Sequence, residues 1–160
     1  MLLAIYLNDH LATAVGAREL ARRSAKSNRD TSYAPFLETL ARELDEDRQA
    51  LRKVMRALGV RSDPLKVGAG WTAEKVGRLK PNGRLRGYSS LSRVVELEGL
   101  SLIVRANLAL WRSLERLELD KTAAAGVHVE QLAARAERQL EGLEAHRLNA
   151  VSEAFASAPA

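Results

Sequence analysis

The sequence predicts an all-α protein, a four-helix bundle, on three observations. Aromatic residues make up only 4% of the chain. A core must then come from leucine, alanine and valine; alanine and leucine are strong helix formers, and strand-favouring residues are scarce. Apolar positions recur at spacings of three and four in four long stretches, the periodicity of an amphipathic helix. Breaks rich in Gly, Pro, Ser and Asp separate those stretches.

The first stretch, over about 2–27, carries Leu3, Leu7, Ala14, Ala17 and Ala21 on one stripe. "KSNRDTS" interrupts it. Thr31 or Ser32 then supplies a cap and Pro35 a first-turn residue for a second helix, over about 33–58. Gly59 is its expected stop. Ser89 or Ser90 opens a third helix over about 90–119, and Asp120 or Thr122 a fourth over about 123–155. Between the second and third lies a connection, 59–89, with a short helix expected over "TAEKVGRL". Residues 1–156 are read as one domain and 157–160 as a fraying tail.

Segments of roughly 25–30 residues make rods of about 40 Å. Short loops make antiparallel hairpins of the first two helices and of the last two. A connection of about 30 residues suits a chain that climbs back along the bundle, which an up-down-up-down arrangement would not need.

The composition excludes several functions. Without cysteine there is no disulfide, thiolate metal site or cysteine nucleophile. No apolar run is long enough to span a membrane, and the first ten residues do not read as a signal peptide, so a cytoplasmic protein is expected. The 19 arginines against 6 lysines suggest a GC-rich bacterial genome. No nucleophile elbow or phosphate loop is present, and the expectation leans against an enzyme. The net charge is +5, and residues 60–89, with seven basic and two acidic side chains, account for the whole excess. Lys80, Arg84 and Arg86, with Trp71 and Tyr88 nearby, could meet a nucleic acid there. Trp71 and Leu79 could equally dock the connection on the bundle.

Each stripe is interrupted by polar side chains: His10 in the first, Asp47 in the second, Glu96 and Asn107 in the third, Gln139 and His146 in the fourth. The phase of the fourth is open, because Val129, Ala133, Ala136, Leu140 and Leu143 fit about as well. Two helical hairpins with a long crossover resemble the ferritin-like up-down-down-up layout. "YLNDHLATAVGARELARRSAKSN" and "FLETLARELDEDRQALRKVMRALGV" are similar to the first hairpin of small bacterial ferritin-like proteins.

The resemblance implies a di-iron or di-manganese carboxylate site, built from Glu and Glu-x-x-His ligands. Counted down from the end where both hairpin loops are expected, Glu19, Glu43, Glu98 and His146 fall about 8–11 residues along, within one helical turn. Glu46 takes the pair position after Glu43. Yet Glu-x-x-His occurs nowhere, and Leu143 stands three residues before His146. The expected reading is therefore non-catalytic and without a cofactor, with the acids structural and Asp47 hydrogen-bonding across the core. The alternative is a divergent iron or manganese protein in iron handling, oxidative stress or oxygenation. Trp111, Leu108 and Leu119 are expected to leave a surplus outer patch, and with it a homodimer.

Overall fold

A computed structural model describes residues 2–63, 88–119 and 125–156. Among them the chain forms four helices and no strand: α1 (Leu2–Ser27), α2 (Ala34–Ala57), α3 (Ser90–Arg116) and α4 (Val129–Phe155). The expected short helix at 72–79 lies outside the described residues, as do Lys80, Arg84, Arg86, Trp71, Leu79, Asp120 and Thr122.

The ends obey local chemistry. Tyr33, not Thr31 or Ser32, is the N-cap residue of α2, and its side chain makes no capping bond. Thr31 instead braces the turn: its hydroxyl donates to the Asn28 carbonyl at 2.7 Å and accepts from the Tyr33 amide at 3.3 Å. Pro35 sits in the first turn of α2. Beyond Leu58 the chain reverses at Gly59, whose φ of +69° favours glycine, and the Val60 amide reaches back to the Met55 carbonyl. Ser89 caps α3 by accepting from the Ser92 amide at 3.1 Å. α4 starts at Val129, later than expected; Gly126, at φ +68°, and the extended His128 precede it.

Cross-helix contacts fix the directions. Arg23 meets Glu96 and Tyr6 meets Ser113, so α3 runs against α1. Arg93 meets Glu153 and Arg112 meets Glu137, so α4 runs against α3. Phe36 lies on His146 and Asp47 on Arg135, so α4 also runs against α2. The order is up-down-down-up, and every neighbouring pair is antiparallel. The two hairpin turns consequently lie at opposite ends rather than at one. The start of α3 and the end of α4 share the upper end with the α1–α2 turn. Residues 59–89 must therefore join the lower end to the upper one. Asn8 holds their start, donating to the Arg61 carbonyl at 3.1 Å and accepting from the Asp63 amide at 2.6 Å.

The core follows the stripes. Leu7, Leu11, Ala17 and Ala21 of α1 meet Leu37, Leu40, Leu44, Leu51 and Val54 of α2, with Leu97, Leu100, Val104 and Leu110 of α3. The fourth stripe mixes its two phases: Val129, Ala133, Ala136, Gln139, Leu143 and Ala150 are buried. Trp111 and Leu108 are buried too, 1% and 7% exposed, so they form no outer patch. The exposed apolar side chains are others, Leu2 at 81% and Leu102 at 72% among them. Among the described residues no helix is long and apolar enough to cross a membrane.

Candidate functional site

α2 and α4 approach one another least of the neighbouring pairs, and their seam is polar. Asp47 occupies a position where the leucine stripe of α2 calls for an apolar side chain, and it is 2% exposed. Burial pushes its carboxyl up to about 6, against the pull of Arg135. Arg135 lies on α4 with its guanidinium between two carboxylates, donating to Glu46 at 2.7 Å and to Asp47. One turn further along α4, Gln139 is 4% exposed and donates to Glu43 at 2.9 Å. Glu46 also takes Arg42 at 3.2 Å.

Three atoms in this seam are buried without a hydrogen-bond partner: Asp47 Oδ2, Gln139 Oε1 and Arg135 Nε. Beside them opens a hollow of about 180 Å³, walled by Phe36 and Leu40 and bordered by Glu43, Arg135, Arg138 and Gln139. Gly142 stands against the Phe36 wall. A Cβ there would come within 2.5 Å of the Phe36 ring, so a glycine is kept mid-helix despite its cost of about 1 kcal/mol. The freed ring stacks on His146, centroids 4.1 Å apart and planes 12° apart.

The five residues levelled from sequence do not gather around one point. Glu43 and Glu46 share the α2–α4 seam, with Arg135 and Gln139 set against them. His146 is in the same seam but stacked on Phe36, with Nδ1 at 2.8 Å from the Gly142 carbonyl. Glu98 lies instead on the α3–α4 seam, half-exposed and 3.9 Å from Arg147. Glu19 pairs with Arg18, which also reaches Asp45. Among the described residues no three His, Asp or Glu side chains are grouped to hold a metal ion. His10 stands apart against Tyr6 on α1, and burial lowers its pKa.

Sequence reasoning missed Arg135, Gly142 and the upper-end network described below. The signal for Arg135 was faint but present: it stands four residues before Gln139, as Glu43 stands four before Asp47. Antiparallel neighbours bring such pairs face to face. No protein-family model, no curated protein and no solved structure matches the chain, and its function is read from this seam and the surfaces around it.

Proposed function

We propose that this bundle is non-catalytic and works by binding, either to a second copy of itself or to a partner. We further propose that its layout, compatible with the ferritin-like fold, descends from that superfamily with the metal set lost. The position of Arg135 carries the reading. A guanidinium stands between Glu46 and Asp47, where a carboxylate metal centre would hold a cation. A fixed positive charge there repels a divalent ion. His146 adds support, since its ring is stacked and its Nδ1 engaged. The donor set thus does not suit two iron or manganese ions, and no catalytic step is derived through them. Self-association to a homodimer is favoured by Leu102 and Val95, exposed one heptad apart on α3.

Elemental analysis after incubation with ferrous iron or manganese tests this. Metal well below one ion per chain is the expected result. Stoichiometric metal that disappears in Glu98→Ala or His146→Ala overturns it in favour of a divergent role in iron handling, oxidative defence or oxygenation. Sedimentation over a concentration series then separates self-association from partner binding.

A second reading, nucleic-acid binding, is favoured by the lower half of α2. Arg52, Lys53 and Arg56 line a groove of about 480 Å³ with Val60 and Ser62. None of the three has an ion-pair partner among the described residues. The groove leads to Arg61, where the basic connection with Lys80, Arg84 and Arg86 begins. Binding of a DNA duplex that weakens steeply with salt, and is lost in the triple alanine variant, is the expected signature.

A further inference from the structure

We propose that the α2–α4 hollow is a binding site for a small zwitterion, a free α-amino acid. The proposal gives the binding reading a ligand class and rests on it.

The hollow is bordered by charged groups of both signs. Glu43 and Arg138 both border it, and neither has an ion-pair partner among the described residues. Gln139 is held with its amide N–H on Glu43 Oε2. That orientation is chemically fixed, because exchanging the amide's oxygen and nitrogen would set two acceptors together. Gln139 Oε1 is thereby left as a buried acceptor with no donor, and Arg135 Nε as a buried donor with no acceptor. Orphans of this kind are rare and costly in native interiors.

A protonated amine answers Glu43 and Gln139 Oε1, since it brings three N–H donors and one positive charge. A carboxylate answers Arg138 and Arg135 Nε. Phe36 and Leu40 offer the wall for a short apolar side chain between them. The volume is that of about six waters at ~30 Å³ each, which suits a molecule of amino-acid size and excludes a nucleotide. Water alone could fill the hollow, but it would leave Glu43 and Arg138 without counter-charges. A bare metal ion would answer the acceptors and leave Arg138 and the Nε of Arg135 unmet.

The test is a titration of ¹⁵N-labelled full-length protein with L-valine, followed through the Gln139 side-chain amide and the Thr39 backbone amide. Isobutylamine and isobutyrate, each carrying one half of the charge pair, are the comparison probes. Saturable shifts with L-valine are expected, at least tenfold weaker with either half-probe. Glu43→Gln and Arg138→Ala each weaken L-valine binding at least tenfold. Both side chains reach the surface, so both variants keep the wild-type spectrum elsewhere. Absence of saturable shifts, equal binding of isobutyrate, or binding that survives Glu43→Gln overturns the site. Metal analysis is untouched by that outcome, so the pocket and the non-catalytic reading fail separately.

Discussion

Two buried polar clusters face opposite problems in this bundle. At the upper end, Asn28 is fully buried and its amide donates to the Ser24 carbonyl at 2.8 Å and to the Tyr88 hydroxyl at 2.7 Å. Its carbonyl accepts from Arg93 Nε at 2.7 Å. Arg93 continues to Glu153 at 2.6 Å and lies 4.4 Å over the Tyr33 ring, whose hydroxyl donates to the same Glu153. Tyr88 donates to Glu96, and burial beside that carboxylate raises its phenol to about 12. The α1–α2 turn, the start of α3 and the end of α4 are locked by one continuous circuit that meets every charged group in it, although Ser24 Oγ at its edge is left unpaired. The α2–α4 seam has the same ingredients, carboxylates, arginine and an amide, but leaves atoms of Asp47, Gln139 and Arg135 unpaired. A closed circuit stabilises and specifies. An open one costs stability and leaves chemistry free for something else to meet.

Asn28→Ala should show the largest effect, because it opens the closed circuit at its centre. Tyr88 and Arg93 each lose a buried partner. A loss of about 3–5 kcal/mol is expected, from a stranded Arg93 donor and a stranded Tyr88 acceptor on a charged network. For a chain of this size that is a fall in Tm of roughly 10 °C. Urea unfolding checks the energy, and an unchanged midpoint would mean that the upper end is not the clamp its geometry describes.

Asp47→Asn probes the open seam and should act with the opposite sign. The carboxyl is raised from 3.8 to about 6 in the fold, so the folded state holds its proton more tightly than the unfolded chain does. Its contribution to stability is intact below about pH 4, falls as pH rises from there to about 6, and is gone above. At ~1.36 kcal/mol per unit the full swing is about 3 kcal/mol. Asn mimics the protonated form. The variant should match wild type at pH 4 and exceed it at pH 7.5 by up to that amount. Lower stability of the variant at pH 7.5 would show that the ion pair with Arg135 outweighs burial, and the contrast between the two clusters would collapse.

The stripes, the stop at Gly59 and the cap at Ser89 were legible because each rests on a few adjacent residues. So was the anomaly at Asp47, since a carboxylate at a leucine position is visible in the spacing alone. Its partner was not. Arg135 stands 88 residues away, and the fourth stripe fitted two phases, one turning Gln139 inward and the other Leu140. The structure uses both: Gln139 is buried, Leu140 packs partly against the core, and Gly142 leaves room for the Phe36 ring beside them. The outward placing of Trp111 failed for a related reason. It lies four residues after Asn107 and one after Leu110, so it joins a second row of the same buried face. Levels along the helices could be counted, but the seam that each acid enters depends on helix rotation, which a count of residues does not contain.

Glu98→Ala should be the smallest effect, and it sharpens the comparison from outside both clusters. The carboxylate is 52% exposed, and Arg147 approaches it at 3.9 Å while keeping two shorter bonds to Glu144. Exposed pairs at such distances contribute about 0–0.5 kcal/mol, so Tm should move by no more than about 2 °C. The same value is expected whether or not ferrous iron or manganese is present during the melt, because an ion bound only to the fold would stabilise it by mass action. A metal-dependent rise in wild type that vanishes in this variant would draw Glu98 into a shared centre with His146, on the far side of α4 from where its side chain now points. That rearrangement would require α4 to rotate about its axis, and Arg135 would have to leave Asp47 for it to happen.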